Sequence, residues 1–381
     1  MKQEKIKHKV VFLIGNGFDI NVLNSLNQPK TTSYSHFYEF IKDTHPECDN
    51  ILLREMDRKK INNEKNWADF EALIDEHPNK SEIDESLNEF QDYFSEFLND
   101  IVTPSFLRYL DTYAKEHNFF NNSIQRFLGD IKEDIKKCSL AKQFYHYQIL
   151  DIKFLNFNYT SLLDNLVYLE KKAIRIVDTP SGNNFKFNVN PNLYHEVHRN
   201  STEKWCKLQT EVIHPHGVQQ IPRSILFGGG KISGEAYTLL SKPLVARYEE
   251  NFKSVIEDAK LYVIYGMSIS ETDLWWWQQI ARNISDEDSQ LVIYNFLGKK
   301  SEYEKQYGEF EPVKEQNRVI EKFLNTVGEI GYENEGVSNK GKPKINYFRI
   351  GERAEIKKNI FVVSYFSDER QPRLFSMKTQ K

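Results

Sequence analysis

The feature that most constrains this 381-residue chain is a set of short apolar runs at 10–14, 152–157, 210–213, 225–227, 261–265 and 291–294. They are rich in β-branched residues and lack the polar alternation of a half-exposed strand. A strand covered on both faces requires such a run, which predicts an α/β fold: a parallel sheet with helices packed on each side. Most of the runs end on Gly, Asn or His. Ligands of open α/β sheets bind at those carboxyl ends.

Between the first two runs lie more than a hundred residues that read as helices, among them "WADFEALIDEH" and "IDESLNEFQDYFSEFLNDIV". In the second, Leu87, Phe90, Tyr93, Phe94, Phe97 and Leu98 recur at three- and four-residue intervals, giving one apolar and one acidic face. Residues 36–150 are therefore expected to form a helical insertion after the first strand, either a partner-binding layer or a cover for the sheet. Residues 1–35 and 151–300 then make up the Rossmann-like domain. Residues 301–381 form a C-terminal extension in which "KINYFRI" and "NIFVVSYF" suggest two late strands, as an edge hairpin.

With 26 Phe and 20 Tyr the core is expected to be well filled. A net charge of −4 with both signs mixed gives no field that would pull the molecule onto nucleic acid or an anionic membrane. No segment has the roughly 18 apolar residues of a membrane span. The charged start "MKQEKIKHKV" lacks the apolar core of a secretion signal, so a cytoplasmic location is expected. Cys48, Cys138 and Cys206 are too scattered for a disulfide framework or a CxxC zinc site.

Four strand ends carry candidate chemistry. The first is "LIGNGFD", where Gly15 and Gly17 flank Asn16 and precede Phe18 and Asp19. Glycines after a first strand allow backbone N–H groups to approach a pyrophosphate, but Ile20 stands where the dinucleotide fingerprint needs its third glycine, and a tight structural turn fits equally. Asp19 would repel a pyrophosphate; it suits a ribose hydroxyl, a loop amide or a helix N-cap. The second is "NFNYT", in which Asn158 can orient a hydroxyl or a water, or cap the next helix. In the third, "HPHG", His214 and His216 lie two apart before Gly217. On a strand both would point the same way, as half a metal site, though one imidazole acting as general base is the better functional reading and a core histidine competes with it. The fourth, "YGMSISETDLWWW", places Gly266 and Ser268 in a turn before a helix that Ser270 and Asp273 would cap, with at least one of Trp275, Trp276 and Trp277 exposed or in an interface, snug packing between sheet and insertion being the blander alternative. Asn295 ends a further strand.

In this order the G-x-G, N-x-N-Y-T, H-x-H-G and G-x-S ends resemble the AbiH-like bacteriophage abortive infection family, itself similar to SIR2-type NAD-binding proteins, over about residues 10 to 300. The resemblance implies a SIR2-like Rossmann sheet with NAD across the strand ends. Gly15, Asn16 and Gly17 would hold the pyrophosphate, with Phe18 and Asp19 shaping the ribose pocket. Asn158 would contact the nicotinamide ribose, and His216, followed by Gly217, would act on it. Gly266, Ser268 and Asp273 would lie towards the adenosine half, and Asn295 at the adenine ribose. Phe227–Gly228–Gly229 stands where sirtuins have a peptide groove. The four-cysteine zinc module of sirtuins is missing, which argues against a deacylase; Thr160 stands where sirtuins have an aspartate and their Asp-Phe-Arg stretch is absent, departures that bear on nicotinamide–ribose cleavage.

The expected function is therefore an antiphage NAD glycohydrolase with no metal. A phage-derived trigger could dock on the insertion, and a homo-oligomer is possible. The alternatives are an NAD- or ADP-ribose-sensing interaction protein, and a Mg²⁺-dependent nuclease in which acids such as Asp19 and Asp164 converge.

Overall fold

A computed structural model describes residues 6–76, 80–145, 148–170, 186–189, 203–228, 241–286, 289–328, 332–337, 343–346 and 350–377. Strands β1 (Lys7–Ile14), β2 (Ile149–Asn156), β3 (Lys186–Val189), β4 (Glu203–Ile213), β5 (Leu261–Tyr265) and β6 (Gln290–Phe296) are followed by β7 (Tyr332–Val337), β8 (Pro343–Asn346) and β9 (Ile360–Tyr365). One parallel sheet runs β4-β2-β1-β5-β6-β9 and is extended beyond β4 by the four residues of β3. The expected α/β, Rossmann-like architecture is present. Chain order reverses between β1 and β5, the switch point at which such sheets open a crevice.

Alternate residues of β1 feed two cores. Val10, Phe12 and Ile14 pack with the helices between β1 and β2, whereas Val11 and Leu13 pack with the helices Leu274–Asp286 and Pro312–Val327. Both faces of the strand are dry, which is why its sequence shows no alternation. The helices Tyr34–Thr44, Ile51–Ile61, Phe70–Glu76, Lys80–Ile101, Pro104–His117 and Phe119–Arg126 cover the first face. Their contact is aromatic: Phe37, Phe70, Phe90, Phe94 and Phe97 are all buried, with ring centroids between 4.8 and 6.4 Å. Ser33, Asn50 and Thr103 accept hydrogen bonds from the first free N–H groups of three of these helices, which sets where each one starts.

Three expectations are corrected. Residues 225–227 form no strand; they are apolar because Phe227 inserts between Phe70 and Phe94, at 4.8 and 5.4 Å. The two late strands form no hairpin: β8 pairs antiparallel with β7, and β9 joins β6 in parallel at the sheet edge, with the helix Ile350–Lys358 between them. All three tryptophans are buried, at 7%, 0% and 0% exposure, because Tyr248 and Phe252 flank Trp276 on one side while Phe323 meets Trp277 on another. Among the described residues no helix is long and apolar enough to cross a membrane.

Candidate functional site

Strand register brings the separate motifs together. Ile14 pairs with Asn156 on one side and Tyr265 on the other, and Leu155 pairs with Ile213. The segments after β1, β2, β4 and β5 therefore leave the sheet at one level. There they enclose a cavity of about 350 Å³ lined by Gly15, Asn16, Asp19, Asn158, His216, Gly266, Ser268 and Asp273, among others. Tyr34 and, from the insertion, Asp69, Glu71, Phe94 and Leu98 complete the wall.

The glycine turn serves the protein's own backbone. Gly15 N–H donates to Tyr265 O and Gly17 N–H to Gly266 O, both at 2.9 Å, while Phe18 N–H donates back to Gly15 O. A Cβ on Gly17 would lie 2.7 Å from Gly266 Cα, and one on Gly15 would lie 2.7 Å from Gly266 O. The two glycines are needed because the β1 turn presses against the β5 turn, and the Gly15 and Gly17 amides expected to help cradle a pyrophosphate are already occupied. Asn16 lines the cavity, and its side-chain amide is bound to the Thr32 carbonyl and hydroxyl.

Phe18 is also reassigned. It is fully buried, 4.8 Å from Phe375, and packs in the core instead of shaping the cavity. Gly217 is likewise no lining residue; at φ +88° it lets the chain pass Ser224, whose carbonyl oxygen a Cβ would meet at 1.9 Å.

Three of the groups that face the cavity, Asn158, Asp19 and Asp273, carry buried atoms without a hydrogen-bond partner. Asn158 is 4% exposed, yet neither its side-chain nitrogen nor its oxygen has a hydrogen-bond partner. Its backbone is fixed: its N–H donates to Asn156 Oδ1 at 3.2 Å, and its carbonyl accepts from His214 Nδ1 at 3.1 Å. Asp19 accepts from Thr160 Oγ1 at 2.6 Å through Oδ2, while Oδ1 is buried and unpartnered. Burial pushes this carboxyl up to about 7, opposed by the Thr160 hydroxyl and by His214 and reinforced by Asp164. Thr160 thus gives its hydroxyl to an aspartate in the first turn of the helix that follows β1.

Across the cavity His216 Nε2 lies 2.7 Å from the Tyr248 hydroxyl and 3.9 Å from Asp273 Oδ1. Burial, then the nearby Lys242 charge, holds the imidazole well below its ordinary pKa, so it is neutral at pH 7. Burial raises Asp273 to about 6 against the pull of Lys242. Asp273 turns inward, and Ser270 makes no side-chain cap, so the expected capping pair does not form.

His214 and His216 do not share a direction. β4 ends at Ile213, and beyond it His214 Nε2 meets the Asp164 carboxylate at 2.9 Å while His216 meets Tyr248. His214 thus acts as a support for the Asn158 backbone. Asp164 is committed to it and does not line the cavity that Asp19 faces. Among the described residues no group of three or more His, Cys, Asp or Glu could hold a metal ion.

The sequence reading did not mark Glu71 and Lys242, among other cavity-lining residues. Glu71 accepts from the Tyr34 hydroxyl at 2.6 Å and pairs with Lys242, and both charged groups are buried. Burial works against the Lys242 charge, but Glu71 and Asp273 outweigh it and hold the ammonium above its ordinary value. A single acid on an amphipathic helix reads as a solvated face, so no pattern marked Glu71. Asn295 lies outside the cavity. It lines an adjoining groove of about 310 Å³ with Arg318 and Lys322, sharing the Gly266–Met267–Ser268 rim, and its amide donates to Glu315 Oε1 at 2.8 Å. Gly229 falls outside the described residues.

Residues 11–295 match the family model described as "Bacteriophage abortive infection AbiH". No curated protein matches the chain significantly.

Proposed function

The chain belongs to the AbiH family of bacteriophage abortive infection proteins, and on that premise we propose that it is an antiphage effector that binds NAD and hydrolyses the bond between nicotinamide and ribose. The observation that carries this reading is the buried Asn158 amide, unpartnered on both atoms and fixed by its backbone at the carboxyl end of β2. A polar group in that state costs roughly 1–3 kcal/mol unless a ligand satisfies it.

Charge supports the same assignment. Among the described residues, Asp19, Asp69, Glu71 and Asp273 line the cavity against one cation, Lys242. Such a lining disfavours a pyrophosphate and favours the cationic nicotinamide–ribose end, whose oxocarbenium-like transition state spreads positive charge over the sugar. The phosphates would lie at the shared rim towards Arg318 and Lys322. Asn158 would hold a ribose hydroxyl or the attacking water, and the neutral His216 would contact the same ribose.

The test is NAD consumption by the purified full chain, with and without lysate of phage-infected cells. Asn158→Ala and His216→Ala are each expected to lower turnover at least about 100-fold. Undiminished activity in both variants would reject the residue assignments. Tight NAD or ADP-ribose binding without turnover under either condition would favour the sensing alternative.

A further inference from the structure

Among the described residues, three side chains lining the cavity carry buried atoms without a hydrogen-bond partner: the amide of Asn158 and the carboxyls of Asp19 and Asp273. Asp273 Oδ1 lies 3.9 Å from His216 and is drawn towards its charged form by Lys242, so it belongs to the His216–Lys242 side of the cavity. The remaining carboxyl is Asp19. It stands in the first turn of the helix Gly17–Ser25 and reaches across to the end of β2, where Thr160 Oγ1 holds Oδ2 at 2.6 Å and leaves Oδ1 buried without a partner. We propose that Asp19 is the catalytic base of this site, taking the proton of the water that attacks the ribose at C1′. The inference rests on the hydrolase reading above.

His216 is the obvious competitor, and its surroundings count against it. Its Nε2 faces the Tyr248 hydroxyl at 2.7 Å, and its ring is clamped edge-on by Phe157 at 5.0 Å. Burial beside Lys242 depresses its proton affinity well below that of a free imidazole. A base works best when its pKa lies near the operating pH, and burial puts Asp19 at about 7. His216 remains as a positioning group for the ribose.

The groups facing Asp19 come from three elements: the Thr160 hydroxyl after β2, His214 after β4, and Asp164 in the helix Leu162–Glu170. The first two favour the carboxylate and the third opposes it, so they tune the group around neutrality.

The step balances as follows. The water oxygen forms a bond to C1′, and the C1′–N bond breaks with its electron pair passing to the pyridinium nitrogen, giving neutral nicotinamide. The water proton passes to Asp19 Oδ1 and is later lost to solvent. NAD and water thus yield nicotinamide, ADP-ribose and one proton. As a carboxylate, Asp19 also offsets the positive charge that develops on the sugar.

The experiment is a profile of kcat and kcat/KM for NAD from pH 5 to pH 9, with calorimetric NAD binding, for the full-length wild type, Asp19→Asn and Thr160→Val. Asp19→Asn is expected to lower kcat by about 10³-fold, keep Kd within about threefold and lose the acid limb. Thr160→Val removes the hydrogen bond that favours the carboxylate, so its acid limb moves to higher pH. Should Asp19→Asn fail to fold, the near-isosteric Thr160→Val decides alone. If Asp19→Asn keeps its rate within about threefold, or the Thr160→Val limb stays in place, the assignment is overturned while wild-type turnover leaves the hydrolase reading intact. A wild type that binds NAD and never cleaves it overturns both.

Discussion

Asp19→Asn is expected to stabilise the ligand-free protein, by an amount that depends on pH in a defined way. The Asp19 carboxyl is 1% exposed and burial raises its pKa from 3.8 to about 7. Between those values the unfolded chain has released the proton and the folded chain still holds it. Stability therefore falls as pH rises through this window and reaches its full penalty above pH 7. A shift of roughly three units at about 1.36 kcal/mol each corresponds to about 4 kcal/mol. Asparagine has the same shape and is neutral throughout, so the variant escapes this penalty. Its advantage over the wild type should grow by about 3 kcal/mol between pH 5 and pH 8, since every other titrating group is common to both proteins. Urea denaturation of both proteins at the two pH values measures this difference. An advantage that is the same at pH 5 and pH 8, or that shrinks, would refute the claim that a buried carboxylate is being ionised in the folded state. Loss of activity alongside a gain in stability is the signature of a group kept for chemistry at the expense of the fold.

Gly17→Ala brings a Cβ within 2.7 Å of Gly266 Cα, where only backbone can yield. It should cost about 1–3 kcal/mol, and an unchanged Tm would show that the two turns do not depend on that close approach. Glu71→Gln strands the buried Lys242 ammonium and is expected to cost about 3–5 kcal/mol. Adding Lys242→Met should restore most of that loss, and a double variant no more stable than Glu71→Gln would argue against the pair. Trp276→Ala empties a fully buried position between Tyr248 and Phe252, with an expected loss of about 3–5 kcal/mol in chemical denaturation.

Much of the site was legible before any coordinates. Asn158, His216, Asp19 and Ser268 are polar residues just beyond apolar runs, Gly266 marks the turn after one and Asp273 the helix that follows it, and all six line one cavity. The rule worked because parallel strands in register deliver their carboxyl ends to one level. It failed where a residue's local pattern had two physical causes. Phe18 adjoins the glycine turn but faces the core. Gly15 and Gly17 permit a close approach, yet the partner that approaches is the β5 turn, and no sequence distinguishes a neighbouring backbone from a ligand phosphate. The run at 225–227 is apolar because it packs beneath the insertion, a burial that periodicity over three residues cannot separate from a strand.

The sequence by itself determined the layer architecture, since uninterrupted β-branched runs can be buried only when both sheet faces are covered, and it determined which strand ends carry polar groups. Tertiary structure decided what those groups are. Placing Asp19 beside Thr160, 141 residues away in the chain, gave it a dry environment and left one oxygen free. The Glu71–Lys242 pair joins the insertion to a segment 171 residues further on. Desolvation and unsatisfied hydrogen bonding depend on the whole surrounding shell, and only the folded chain assembles that shell.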